Sequence, residues 1–126
     1  MISYLLAGPA AEPVTLAEAK AWLRLDSTDE DALVSTLVAA ARIHLESTTG
    51  RALLTQSWRI VLDCWPIDRT VTLPVAPLQS LTEIRAYDDG GVFTTISLAQ
   101  FQAETAVAPA RLLLPPTVDG MPALRQ

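Results

Sequence analysis

Residues 15–50 read TLAEAKAWLRLDSTDEDALVSTLVAAARIHLESTTG, and this stretch decides the fold. It lies inside the proline-free run from Val14 to Trp65, while the nine prolines (9, 13, 66, 74, 77, 109, 115, 116 and 122) all fall outside. Long helix fits only there, because an interior proline costs about 3 kcal/mol. Thr15-Leu16-Ala17-Glu18 is a capping box, in which the hydroxyl accepts from an early helix N–H and the glutamate reaches back. Pro13 keeps the preceding residues extended. Leu16, Ala19 and Leu23 then share one face, with Trp22 beside them, which predicts a first helix ending near Arg24 or Leu25. Ser27-Thr28-Asp29-Glu30 repeats the capping pattern. With Asp31 it places three acids at the positive end of a second helix.

In that second helix Leu33, Leu37 and Ala40 form one stripe, and Val34, Val38, Ala41 and Leu45 form another. Together they make an apolar surface wide enough to imply contact on more than one side. Leu33, Leu37, Val38 and Leu45 are expected to be largely buried, so Leu37→Ala is expected to cost on the order of 2–5 kcal/mol. Gly50 suits the left-handed position that ends a helix.

Outward from the helices the pattern changes. Gln56 to Leu62 alternates, with Trp58, Ile60 and Leu62 on one face. Thr70 to Leu73 is a short strand closed by Pro74. Leu81 to Tyr87 and Val92 to Ile96 flank the turn Asp88-Asp89-Gly90-Gly91, a hairpin signal. Arg111 to Leu114 is a last strand before Pro115-Pro116. On the other side, residues 1–14 read as an apolar arm carrying Tyr4, Leu5 and Leu6 and an extended connector with Pro9 and Pro13. The arm is expected to dock on its own sheet or on a neighbour, because exposed apolar area costs about 25 cal/mol per Å². The expectation is an α+β fold: two N-terminal helices packed on a small, mainly antiparallel sheet, with residues 15–126 as a single domain, helices over 15–50 and strands over 55–115.

Composition excludes several functions. The chain has 126 residues, half of them apolar and 18% charged, which is globular rather than disordered. Nine basic residues against fourteen acidic ones leave a net charge of −5. Modules that grip nucleic acid gain affinity by neutralising phosphate, so this balance disfavours them. A helix-turn-helix reading fails on the same ground. Residues 1–31 hold six acids against Lys20 and Arg24, a net −4, and three of those acids start the helix that would approach DNA. One cysteine, Cys64, excludes an internal disulfide and any multi-cysteine metal site. No apolar stretch approaches the ~20 residues that span a bilayer, and Met1 to Ala7 lacks the basic start of a signal peptide. The expected compartment is a reducing cytoplasm or an assembly built there.

Little in the sequence can carry chemistry. Cys64 and His44 form the one conceivable thiol–imidazole pair, but a lone cysteine beside Trp65 and Pro66 is more often an apolar filler. Asp26, Asp29, Glu30 and Asp31 lack the spacing of a calcium loop, and a capped, solvated helix start explains them. No P-loop, dinucleotide fingerprint or nucleophile elbow occurs. No catalytic residue, metal site or cofactor is expected. Trp22 and Trp58 read as core, while Trp65 at the Cys-Trp-Pro turn is the better interface candidate.

Taken in order, these motifs resemble the head–tail connector (adaptor) proteins of long-tailed bacteriophages and of phage-derived gene transfer agents. The resemblance opens on Glu12-Pro13-Val14-Thr15-Leu16-Ala17-Glu18-Ala19-Lys20 and continues through Leu23, Asp26 and Asp29-Glu30-Asp31. It includes Ala40-Ala41-Arg42, Glu46 and Thr49-Gly50-Arg51-Ala52-Leu53-Leu54-Thr55-Gln56-Ser57-Trp58. It resumes at Leu73-Pro74-Val75-Ala76-Pro77-Leu78-Gln79-Ser80 and Asp88-Asp89-Gly90-Gly91.

The resemblance implies a structural protein without catalytic residues. It would form a twelve-fold ring beneath the portal, extend the DNA channel without binding DNA specifically, and meet the next neck or tail-completion protein. It implies a place in the particle neck, assembly in the bacterial cytoplasm, and a further strand and helix beyond Pro122-Ala123-Leu124-Arg125. Head-to-tail contact in such a ring sets unlike surfaces against each other. Asp29, Glu30 and Asp31 are therefore expected to face arginines of a neighbour such as Arg42, Arg51 or Arg59, with Tyr4, Leu5, Leu6 and Trp65 as apolar contacts. The rival readings are a small acidic DNA-binding or DNA-mimicking regulator, and an enzyme built on Cys64 and His44.

Overall fold

A computed structural model describes residues 1–119; Pro122-Ala123-Leu124-Arg125 lies outside them. In chain order the elements are β1 (Ile2–Ala7), α1 (Leu16–Leu23), α2 (Asp31–Thr49), β2 (Ser57–Val61), β3 (Thr70–Thr72), β4 (Ile84–Tyr87), β5 (Phe93–Ile96), β6 (Gln102–Glu104) and β7 (Arg111–Leu113). The fold is α+β, and the helices precede most of the strands. The strands form three separate antiparallel ladders, β1–β2, β3–β7–β6 and β4–β5. The chain makes two compact units, Met1–Val61 and Leu62–Gln126.

In the first unit α1 starts at the expected capping box. The Glu18 N–H donates to Thr15 Oγ1 at 3.2 Å, and the Thr15 N–H donates to Glu18 Oε2 at 2.8 Å. The Thr15 hydroxyl, which donates to Glu18 Oε2 at 2.7 Å, and the Thr15 N–H together hold the Glu18 carboxyl below its ordinary pKa. The helix closes on Arg24, which takes a left-handed φ of 57° while its N–H donates back into the last turn. The second capping box does not form. Residues 28–30 make a turn in which the Asp31 N–H donates to the Thr28 carbonyl, and α2 begins after Glu30, which caps nothing with its side chain. Asp31, the first residue of α2, pairs with Lys20 on α1 and ties the two helices together. Gly50 ends α2 at φ 65°.

The arm is neither frayed nor buried. As β1 it pairs with β2, setting Ile2 opposite Val61, Tyr4 opposite Arg59 and Leu5 opposite Trp58, and the register shifts between Leu5 and Ala7. Both strands keep most side chains exposed.

The second unit holds most of the core. Val71, Leu73, Ala76, Ala86, Ile96, Ala110, Leu112 and Leu114 are buried there, whereas Val34 alone is buried among the described residues of the first unit. β7 is the central strand of its ladder, which explains why β6, with the poor strand sequence Gln-Ala-Glu, forms at all: a partner edge recruits it. The β4–β5 hairpin closes over Asp88 to Val92. The Asp88 carboxylate accepts from the Val92 N–H at 2.8 Å, and Gly91 takes φ 78°.

Burial corrects two expectations. Leu33, Leu37 and Leu45 are 56%, 55% and 48% exposed, and only Val38 is half-buried. Trp22 is 88% exposed and Trp58 is also open, so neither is core. The helical spacing is sound, but the chain alone covers only one side of α2. Ile96→Ala, at the most enclosed side chain, should therefore lower stability by about 2–5 kcal/mol in denaturant titration. Leu37→Ala should change it by no more than about 0.5 kcal/mol in the dilute chain, the usual range for a surface position.

Candidate functional site

Side chains of chemical interest fall into one clamp and several open surfaces, all within single units. The clamp is centred on α2. One turn apart on its inward side, Arg42 and Glu46 are 10% and 13% exposed. The Arg42 guanidinium forks onto Glu12 of the connector, with Nε to Oε2 at 2.7 Å and Nη2 to Oε1 at 3.2 Å, while Nη1 donates to Glu46 Oε2 at 2.8 Å. The other Glu46 oxygen accepts from the Leu53 N–H and the Gln56 amide, each at 2.9 Å. Glu12 pushes the Arg42 pKa upward from an already high value. Burial pushes the Glu46 carboxyl up, but the Leu53 N–H, Arg42 and Gln56 together outweigh it and hold it below its ordinary value.

The clamp fixes three segments at once: the connector before α1, the middle of α2, and the approach to β2. Sequence reading left it out. The i, i+4 spacing of Arg42 and Glu46 offered half of the signal. Glu12, 30 residues away in sequence, gave none.

The residues expected at interfaces spread over this unit and the next. Asp29 and Glu30 are exposed at the start of α2 and make no ion pair among the described residues, whereas Asp31 is taken by Lys20. Arg42 is committed to the clamp. Arg51, just past Gly50, is exposed and has no ion-pair partner among the described residues. Arg59 lies over the Tyr4 ring, 6.0 Å from its centroid, and donates to its hydroxyl at 3.3 Å. Tyr4, Leu5 and Leu6 are exposed on β1. Trp65 is half-buried and stacks on Phe101 with centroids 6.2 Å apart, while the neighbouring Ile67 is fully exposed.

Cys64 is exposed in the second unit and His44 is exposed on α2 in the first. Among the described residues no group of three His, Cys, Asp or Glu side chains can hold a metal ion. A shallow groove of about 220 Å³, lined by Glu12, Val14, Leu16 and Val38, lies where the connector crosses the helices. It is smaller than the ~300–1,000 Å³ of ligand pockets. No described helix is long and apolar enough to cross a membrane.

The family model of phage gp6-like head-tail connector proteins matches residues 13–88. No curated protein sequence matches the chain. Among solved structures, a protein from the neck of an empty GTA particle, computed with C6 symmetry, superposes with a TM-score of 0.77 at 29% identity, covering 100% of this chain and 66% of that one. A protein from the virion of a native gene transfer agent particle gives 0.74 at 27% identity, covering 97% and 66%. The chain thus spans just under two thirds of the length of both neighbours.

The clamp makes a pH prediction. A carboxylate held low in the folded chain stabilises the fold above its unfolded pKa, about 4.3 for glutamate, and this contribution is lost as pH falls through the lower folded value. Glu46→Gln should therefore flatten the loss of stability below about pH 4.3. Acid-unfolding curves of parent and variant that run parallel would remove Glu46 from this role. Arg42→Ala should cost about 1–3 kcal/mol at neutral pH, because it strands partly buried Glu46.

Proposed function

This chain belongs to the phage gp6-like head-tail connector family, and from that membership we propose that it is a structural adaptor in the neck of a phage-type particle, joining capsid to tail. Copies of it form a ring beneath the portal, twelve-fold like the portal. The ring extends the DNA channel and offers a surface to the next neck or tail-completion protein. It catalyses no reaction, and it is assembled in the bacterial cytoplasm.

The observation that carries this reading is the match of the whole chain to a protein of a gene transfer agent neck. A neck computed with C6 symmetry is compatible with any ring whose copy number is a multiple of six, twelve included. The charge supports the same reading. A chain of net charge −5, repeated around a ring, offers no basic surface that would hold phosphate, so DNA passes without being gripped.

Contact between subunits runs between the acids at the start of α2 and arginines of the next copy. Because Arg42 is committed to its own chain, Arg51 and Arg59 are the better partners for Asp29 and Glu30, with Asp31 shared with Lys20. Tyr4, Leu5 and Leu6 of the first unit, and separately Trp65 of the second, supply apolar contacts.

Deleting the gene in a producing cell should leave heads and tails that accumulate unjoined, as counted by electron microscopy. Normal tailed particles from the deletion strain would sink the proposal. Combining Asp29→Lys with Glu30→Lys should weaken ring formation at least tenfold at low salt and less at high salt, since exposed charges are screened over ~10 Å at 0.1 M. Rings that form equally well at both salt concentrations would exclude this contact.

A further inference from the structure

Helix α2 has two unlike sides. Its inward side is fully used: Asp31 pairs with Lys20, Val34 is buried, and Arg42 and Glu46 form the clamp. Its outward side carries Leu33, Leu37, Ala40, Ala41 and His44, at i, i+4, i+7, i+8 and i+11, with Leu45 at the margin, and all six are exposed. From Ala32 to Ala41 no residue is charged, in a helix about 28 Å long at 1.5 Å per residue. A helix facing water normally carries charge on its open side, so this side is built to be covered.

The surroundings say by what. The N-terminal end of the stripe is flanked by Asp26, Asp29 and Glu30 and the C-terminal end by Arg51, none of them ion-paired among the described residues. One apolar stripe thus lies between unpaired acid at one end and unpaired base at the other. DNA and an anionic lipid surface offer a single sign of charge and would be repelled by the acidic end. A second copy of this chain carries both signs and an equal need for cover. The burial of the first unit points the same way. Only Val34 is buried among its described residues, whereas eight apolar side chains are buried among those of the second unit.

We infer that the outward stripe of α2, centred on Leu37, is the apolar core of the contact between neighbouring copies, and that the acid–arginine pairs form its polar rim. This rests on the ring reading and names the surface on which the ring closes. Cores of this kind hold the few residues that dominate binding, while the rim chiefly sets specificity.

The test uses the purified full-length chain. Sedimentation velocity over a concentration series should show self-association of the parent, weakened at least tenfold by Leu37→Asp. Ile67→Asp, at a still more open apolar position in the second unit, should associate as the parent does. Thermal melts of dilute Leu37→Asp should match the parent, since the position is open in the single chain. A photo-cross-linker at position 37 should give an adduct of twice the chain mass.

Association unchanged by Leu37→Asp would overturn the inference, as would a parent that stays monomeric throughout. A lowered melting point in the dilute variant would place the stripe inside the monomer and overturn it too. In particles, an adduct at position 37 with a heavier neck protein would assign the stripe to that partner instead. None of these results bears on whether the deletion strain joins heads to tails, so failure here and failure of the adaptor reading are separable.

Discussion

The fork of Arg42 onto Glu12 and Glu46 is the constraint on which the first half of the molecule depends. Apolar packing does little there, since Val34 alone is buried among its described residues. Without such packing, two extended segments and a helix must be held by directional bonds, and the guanidinium supplies three of them in one plane. Charged groups are costly to bury, and this cluster tolerates partial burial because each Glu46 oxygen has a donor. The position of the connector, and with it the entry into the capping box of α1, follows from this arrangement.

The two units therefore represent different solutions to stability. The second relies on a conventional apolar core around Ile96 and the strands β3 and β7. The first relies on polar ties and leaves much of its apolar surface open, including Trp22, Leu33, Leu37 and the faces of β1 and β2. Such a division suits a component whose final environment is other protein: one part folds on its own terms, and the other presents surface.

The sequence was most legible where local chemistry decides the outcome. The capping box at Thr15, the stop at Gly50 and the turn at Asp88 to Gly91 all form as their residues dictate. It was least legible where a local alternative or a distant partner competes. Ser27 to Glu30 has the pattern of a cap, yet the chain makes a turn closed by the Asp31 N–H on the Thr28 carbonyl, and the helix starts later. β6 depends on an edge offered by β7, which its own residues do not announce. The two apolar stripes of α2 were visible as periodicity, but periodicity does not say whether a stripe is covered by its own chain. For the surfaces, residue type identified Asp29, Glu30 and Arg51 as charges in search of partners, while Arg42 was read as an interface residue because its partner Glu12 is remote in sequence.

The register shift in β1 also bears on edge-to-edge pairing. The β1–β2 ladder is two-stranded, so the outer side of β1 exposes backbone donors and acceptors with no further strand beside it among the described residues. A long flat edge of this kind, free of charged side chains, is a template on which identical chains can stack into fibres. The shift after Leu5 twists that edge and leaves only Ile2 to Leu5 in regular register, four residues long. A template this short is a poor seed for an extended ladder. One irregular residue, Leu6, thus leaves β1 a poor template for open edge-to-edge stacking.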